Sequence, residues 1–259
     1  MSTSRRVTYV LAAVVLVVFG VWAANRISGL SEPTQATNPL FRWEYLFERQ
    51  RTPTELWERT REHLGLTVVP VVLGIILSAA LSALILRFGW LRVGVFTFTG
   101  VLYTIPSLAL FAILVTYNSN WTAAVIALTS YTLLILTRNI VAGIDAVPQA
   151  ALDAADGLGM SRIQRLAKVE IPLAMPVILT GIRVATVTVV GLVGISAVIQ
   201  LGGLATYIFD GFNRDYTTLL VLGTVATVVL AVALDLALRG VEWLATPWAH
   251  RQAPRQVPR

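Results

Sequence analysis

Six long apolar runs divide this chain, and they constrain its fold more than any other feature. They lie at about residues 7–24, 64–86, 93–116, 121–136, 176–199 and 217–238. Each approaches or exceeds the roughly 17 to 25 residues that an α-helix needs to cross a bilayer. Backbone polar groups inside a bilayer must be satisfied within the spanning segment, which favours helices. We therefore predict an all-α integral membrane protein with about six transmembrane helices.

Composition and charge agree with this class and predict an orientation. Hydrophobic residues make up 56% of the chain and charged residues 13%, against roughly 45 to 50% and roughly 25% in soluble domains. With the N-terminus inside, twelve of the 20 arginine and lysine residues lie in cytoplasmic segments and seven outside. The positive-inside rule then predicts that both termini are cytoplasmic. Anionic lipid accounts for the net charge of +6, so no nucleic-acid partner is expected.

The polar gap between the fourth and fifth runs carries the signals of two short helices. Pro148 suits a first helical turn, and the small apolar positions that follow recur on one face, at Ala151, Ala154, Ala155 and Leu158. Gly159 can take the left-handed conformation that closes such a helix. Ser161 and Gln164 form a capping-box pattern for a second helix, which Pro172 is expected to end.

The same gap matches a known loop pattern. Asp153-Ala154-Ala155, three residues, Gly159, nine residues and then Val169-Glu170-Ile171-Pro172 resembles the cytoplasmic "EAA" loop of ATP-binding-cassette (ABC) importer permeases. Asp for Glu, Val for Ile and Ile for Leu are mild departures. The resemblance implies a type I, MetI-like permease bundle whose ATPase-coupling residues are Asp153, Ala154, Ala155, Gly159 and Pro172. It also implies a permease domain over 64–240 with a coupling loop at 138–175. The apolar runs and the charge distribution, outside the resemblance, predict an N-terminal transmembrane anchor and extracytoplasmic segment over 1–63 and a cytoplasmic tail over 241–259.

Further motifs narrow the resemblance to the permeases of osmoprotectant importers, the glycine betaine, carnitine and choline group. They extend from about residue 56 to 238 and are Tyr103-Thr104-Ile105-Pro106-Ser107-Leu108-Ala109-Leu110, Arg138-Asn139 with Gly143, Gly181-Ile182-Arg183-Val184-Ala185-Thr186 and Gly202-Gly203-Leu204. The family implies partner ATPase subunits, a second permease copy or paralogue, an extracytoplasmic substrate-binding protein and an inner-membrane location.

Candidate pathway residues follow from the same motifs: Tyr103, Pro106, Ser107 and Arg183. Pro106 removes a backbone hydrogen bond and should kink its helix, which would leave a carbonyl to line a pathway. An aromatic cage for a quaternary ammonium ion would draw on Tyr103, Phe111, Tyr117 and Tyr131, although packing is the favoured explanation of each ring.

Several chemistries are not supported by the residues present. Lys168, the only lysine, follows Ala167, so the chain has no phosphate-binding Gly-Lys-Ser/Thr loop, and ATP and Mg²⁺ are expected on the partner. There is no cysteine, and His63 and His250 stand far apart; we expect no catalytic residue, no metal and no bound cofactor.

Other transporter classes remain as alternatives. Arg183 and Asp235 are the only ionisable residues within the runs. We interpret them as structural, Arg183 by snorkelling and Asp235 by pairing with Arg239. The alternatives are an ABC permease for methionine, another amino acid or a small organic anion, and an ATP-independent channel or secondary carrier.

The N-terminal region carries open alternatives. The first run is expected to be an uncleaved anchor, with a cleaved secretory signal as the alternative. Thr52-Pro53-Thr54-Glu55 predicts a helix that begins at Pro53. That helix would either contact a substrate-delivery protein or lie at the interface and position the next span. Residues 251–259 are predicted to be a disordered tail.

Overall fold

The computed structural model describes residues 53–248, and this part of the chain is entirely helical. Its helices are α1 (Pro53–Arg87), α2 (Leu91–Thr104), α3 (Ser107–Tyr117), α4 (Asn120–Asp145), α5 (Gln149–Gly157), α6 (Arg162–Arg165), α7 (Ile171–Ser196), α8 (Ala205–Asn213) and α9 (Thr217–Ala245). The helix predicted at Pro53 is confirmed. The first predicted span and the predicted C-terminal tail lie outside the described residues.

Four helices in the described region are long and apolar enough to cross a membrane. They are Thr54–Arg87, Asn120–Asp145, Arg162–Ile199 and Thr217–Ala245, and each contains one of the predicted runs. The run at 93–116 instead forms α2 and α3, which meet at 91° and count as a fifth span only if they are taken together. The all-α membrane class is confirmed, whereas the count of six is not.

Helix α4 is the centre of the bundle. It contributes the wholly buried Ala124, Ala127 and Leu128 to a core cluster shared with residues of α1, α3 and α7. Small residues let its neighbours approach closely: a Cβ on Gly143 would lie 3.1 Å from the carbonyl oxygen of Ala174 on α7. Such close backbone contact is typical of helix pairs in membranes, where packing rather than hydrophobic burial drives association.

The segment after Ser161 is one continuous helical rod, Arg162–Ile199. Between α6 and α7 it contains a π-helical turn, Leu166–Glu170, and the N–H of Ile171 donates to the carbonyl of Leu166, five residues earlier. The wider turn accommodates Pro172, which lacks an N–H and would crowd the carbonyl four residues before it in a regular α-helix. The prediction that Pro172 ends a short loop helix was therefore wrong.

The opposite end of the rod leads into a tight turn packed against α1. Gly202 and Gly203 have φ of 80° and 77°, and the N–H of Gly203 donates to Glu62 Oε2 at 2.8 Å. His63 is fully buried beside them, with Nε2 3.2 Å from the carbonyl oxygen of Val190. Helix α1 thus runs without a break from the predicted extracytoplasmic segment into the apolar run at 64–86. His63, the last residue of that predicted segment, lies within this helix.

Candidate coupling loop and translocation pathway

Gly159 closes helix α5 in the left-handed conformation predicted from the sequence. Its φ is 72°. The N–H of Met160 donates to Ala155 O at 3.2 Å and that of Gly159 donates to Asp156 O at 2.9 Å, which is the Schellman pattern. A Cβ at this position would meet no atom within 4 Å. Backbone conformation, and not space, is therefore what calls for glycine here.

The two arms of the loop are held together by polar contacts. The predicted capping box is present: Ser161 Oγ accepts from Gln164 N, and Gln164 Oε1 accepts from Ser161 N. Arg165 Nη1 donates to both carboxylate oxygens of Asp156 on α5, at 2.9 and 2.7 Å. Its Nε donates to Glu170 Oε1 at 2.9 Å. Arg165 therefore ties α5 to the π-helical turn, a role that no local sequence signal indicated.

The loop presents an exposed apolar surface around Gly159. Leu158 is 76% exposed and Ile163 79% exposed. Of the predicted coupling residues, Asp153 and Ala154 are exposed and Ala155 is buried. Asp153 Oδ1 accepts from Gln149 Nε2 at 2.9 Å, one turn earlier on α5. Large apolar side chains beside a small-residue helix face suit contact with another protein surface.

The predicted kink at Pro106 is a complete break between two helices. Ile105 and Pro106 are extended, with ψ of 128° and 126°, and Ser107 starts α3. The Ile105 carbonyl at the break is engaged by α4, because Ile105 O accepts from the hydroxyl of Tyr131 at 2.5 Å. Through this hydrogen bond, helix α4 fixes the backbone at the break between α2 and α3.

Only two of the four candidate cage aromatics come together. The rings of Tyr103 and Tyr131 make an edge contact with centroids 6.0 Å apart. Phe111 is fully buried in the core cluster, while Tyr117 ends α3 and is 83% exposed. Within the described residues these four rings do not enclose a common space, and packing explains Phe111 and Tyr131.

The glycine motifs on α4 and α7 meet each other. A Cβ on Gly181 would lie 2.5 Å from Asn139 Cβ, and Asn139 Nδ2 donates to Ile135 O at 2.8 Å within its own helix. Together with Gly143 against Ala174, this makes the α4–α7 contact close over two helical turns. The contact couples the rod that begins in the loop to the helix that holds the break at Ile105.

Arg183 projects from α7 to α9. Its Nε and Nη2 donate to Asp235 at 2.8 to 3.0 Å, and its Nη1 donates to Glu242 Oε2 at 3.0 Å. The predicted Asp235–Arg239 pair is present at 3.5 Å. Cross-helix pairing, not snorkelling, therefore satisfies the guanidinium. The predicted role of Arg183 in a substrate pathway stays a prediction.

A cleft that the sequence did not indicate lies at the far end of the rod. It has a volume of about 590 Å³ and is lined by Arg59, Ala197, Val198, Gln200, Gly202, Thr206, Phe209, Asp210 and Asn213. Gln200 has a φ of 59°, so one wall is a turn of left-handed residues. Because the α5–α6 loop is at the other end of the rod, the cleft and the loop lie at opposite ends of the bundle.

These features define a helical membrane protein with an exposed apolar loop at one end, and comparison with known proteins gives the family. The family described as "binding-protein-dependent transport system inner membrane component" matches residues 65–242. The chain is 37% identical over 194 residues to the osmoprotectant import permease protein OsmW of Salmonella typhimurium, covering 73% of this chain and 90% of that protein. It is 34% identical to the glycine betaine/carnitine/choline transport system permease protein OpuCB of Bacillus subtilis, covering 74% and 89%. This chain therefore belongs to the family of binding-protein-dependent transport system inner membrane components.

Solved structures agree on the fold. An inward-facing structure of the MetNI methionine ABC transporter is similar with a TM-score of 0.67 and 19% identity, over 74% of this chain and 96% of that one. An amino acid ABC transporter with histidines is similar with a TM-score of 0.63 and 19% identity, over 72% and 92%. The predicted MetI-like permease bundle is confirmed. At such identity the likeness concerns the fold alone.

Proposed function

We propose that this chain is the transmembrane permease subunit of an ATP-driven importer for quaternary ammonium osmoprotectants, such as glycine betaine, choline or carnitine. The observation that carries the proposal is its 32 to 37% identity, over most of its length, to permeases named for these substrates. The likeness to methionine and amino-acid transporters, at 19% identity, concerns the fold. The chain itself is not an enzyme and binds no cofactor; ATP and Mg²⁺ are used by its partner.

The α5–α6 loop is the proposed contact for the ATPase subunit. Its exposed Leu158 and Ile163 flank the closed turn at Gly159, and Ala154 is exposed on the same arm. An apolar helix face of this kind fits a groove on a partner protein. A second permease copy or paralogue, an extracytoplasmic binding protein, the inner membrane and cytoplasmic termini complete the proposed assembly.

The coupling mechanism we propose follows a chain of contacts. Motion of the loop enters the rod Arg162–Ile199 without an intervening hinge, because Arg165 fixes α5 to the start of the rod. The rod contacts α4 at Gly181 and Gly143. Helix α4 in turn holds the break between α2 and α3 through Tyr131. Rigid-body movement of the rod would therefore alter the α2–α3 angle, and we propose that this change switches access to the substrate pathway.

The substrate pathway is proposed to run beside this break. Tyr103 and Pro106 are exposed and Ser107 is half-buried at the start of α3. High-affinity recognition is assigned to the separate binding protein, so these residues need to pass the cargo and not to select it.

The test is uptake into proteoliposomes that contain this chain, its ATPase and its binding protein. We expect ATP-dependent accumulation of labelled glycine betaine, choline or carnitine. The matched control is the same complex with the phosphate-loop lysine of the ATPase replaced, which should abolish uptake. Robust uptake of an amino acid or organic anion with no quaternary amine would refute the cargo. Uptake that persists with the inactive ATPase would indicate a channel or secondary carrier.

A further inference from the structure

We propose that Arg87 and Arg138 each bind the headgroup of an anionic phospholipid, on the side of the bundle that carries the α5–α6 loop. This binding does not depend on the cargo or on ATP. It rests on the contacts of two arginines with aromatic rings, Arg87 with Phe88 and Arg138 with Phe96, that nothing in the proposed transport mechanism uses.

Two side-chain contacts join α2 and α4, which run antiparallel. On α2, Arg92 and Phe96 are four residues apart and share a face. On α4, Arg138 and Asp145 are seven residues apart, two turns along the same face. Arg92 forms an ion pair with Asp145, and the Arg138 guanidinium lies 5.7 Å from the centre of the Phe96 ring.

The charge of this cluster is unbalanced. Asp145 is engaged by Arg92, whereas Arg87 and Arg138 make no ion pair with any residue in the range 54–248. Arg87 instead lies 5.3 Å from the centre of the Phe88 ring. Stacking on a ring fixes a guanidinium while leaving its N–H groups free to donate, and that planar fork suits a phosphate group.

The cluster lies where lipid headgroups are expected. Arg87 is the last residue of the apolar span Thr54–Arg87, and the turn after it exposes Trp90 by 80%. Tryptophan and arginine at the end of a span are typical of the membrane interface. The neighbouring Leu86 and Val93 are also exposed, so acyl chains would have apolar surface to cover directly beneath the arginines.

Depth is consistent with both arginines reaching the same headgroup layer. Arg138 is seven residues before the end of α4, about 10 Å along the helix at about 1.5 Å per residue. Arginine stems extend along apolar surface toward the interface. Both side chains are exposed, so they can reach the same phosphate layer from different depths.

The test is native mass spectrometry of the purified permease–ATPase complex titrated with phosphatidylglycerol or phosphatidylcholine of identical acyl chains. We expect the intact complex to prefer phosphatidylglycerol. Arg87→Gln and Arg138→Gln should each lower that preference about fivefold, the factor that corresponds to about 1 kcal/mol per basic residue near an anionic surface. Arg138→Lys, which keeps the charge but lacks the planar fork, should bind phosphatidylglycerol with a preference between those of Arg138→Gln and the native complex.

The control is Arg214→Gln, which removes an exposed arginine from the turn before α9, at the opposite end of the bundle; it should leave the preference unchanged. Equal binding of the two lipids, or an equal loss in the control, would overturn the proposal. Displacement of the lipid by millimolar glycerol phosphate would point instead to a site for soluble phosphate esters. Loss of the ATPase with unchanged lipid preference would assign the arginines to a protein contact and overturn the lipid site.

Discussion

Arg183 on α7 and Asp235 on α9 form a two-pronged ion pair, with Nη2 at 2.8 and 3.0 Å from the two carboxylate oxygens. The side chains are 18% and 29% exposed, and Glu242, at 22%, completes the cluster. This pair joins the rod that leaves the α5–α6 loop to a helix that is otherwise mostly exposed. The ion pair therefore holds α9 in register against α7.

Replacing Arg183 with Gln should destabilise the subunit, because Glu242 would lose its cation and Asp235 would keep only the 3.5 Å contact with Arg239. We expect a loss of up to about 3 kcal/mol, the low end for broken buried pairs, because these side chains are partly buried. Arg239→Gln removes the more exposed partner of the same Asp235 and should cost about 1 kcal/mol or less. Thermal unfolding of the purified subunit in detergent measures both. Equal losses of stability in the two variants would show that the α7–α9 ion pair contributes no more than the pair within α9.

Substitution of Gly159 should impair transport through backbone strain alone. A side chain meets no atom there, but a non-glycine residue at a φ of 72° costs about 1 to 2 kcal/mol, and more with β-branching. We expect Gly159→Asn to keep most ATP-dependent uptake and Gly159→Val to lose it while the subunit still inserts. Gly157→Ala is the control, since Gly157 is equally open but lies within α5. Normal uptake by Gly159→Val would contradict the coupling assignment.

Removing the Tyr131 hydroxyl should loosen the break between α2 and α3. Tyr131→Phe keeps the ring contact with Tyr103 but leaves the Ile105 carbonyl without its donor, at an expected cost of about 1 to 3 kcal/mol. We expect a slower transport rate with unchanged substrate capture by the binding protein. Tyr103→Phe serves as the stability control, because its hydroxyl makes no hydrogen bond within residues 53–248. If both variants unfold at the same temperature, the hydroxyl does not secure the break.

Membrane orientation can be tested with single cysteines, since the native chain has none. Glu58 on α1 and Arg162 on α6 are both exposed, and the arginine distribution places them on opposite sides. Glu58→Cys should react with an impermeant thiol reagent in intact cells, and Arg162→Cys should react only after permeabilisation. Labelling of Arg162→Cys from outside would invert the topology and remove the loop from the ATPase.

Local signals in the sequence predicted local structure well. Within residues 53–248 the apolar runs correspond to helices, and the Ser161–Gln164 capping box and the left-handed Gly159 are present as expected. These features depend on residues within one or two turns of each other, so a short window of sequence contains their cause.

Contacts between distant segments were not predictable in the same way. Arg183 and Glu242 are 59 residues apart, and neither carries a local sign of its partner. The burial of His63 depends on α7 and on the turn at Gly203. The break at Pro106 was expected only as a kink, because its 91° angle depends on how α4 holds the Ile105 carbonyl.

The π-helical turn before Pro172 has a geometric consequence for how the loop faces the bilayer. A single π turn contains one residue more than the α-helical turn it replaces, and each residue in an α-helix rotates the side-chain direction by about 100°. The side-chain directions of α6 and α7 are therefore offset around the axis of one continuous helix. The apolar periodicity before the π-helical turn does not continue in the same register after Glu170. In this helix, deletion of one residue within 166–170 would swing Leu158 and Ile163 around the helix axis while leaving residues 171–199 unchanged.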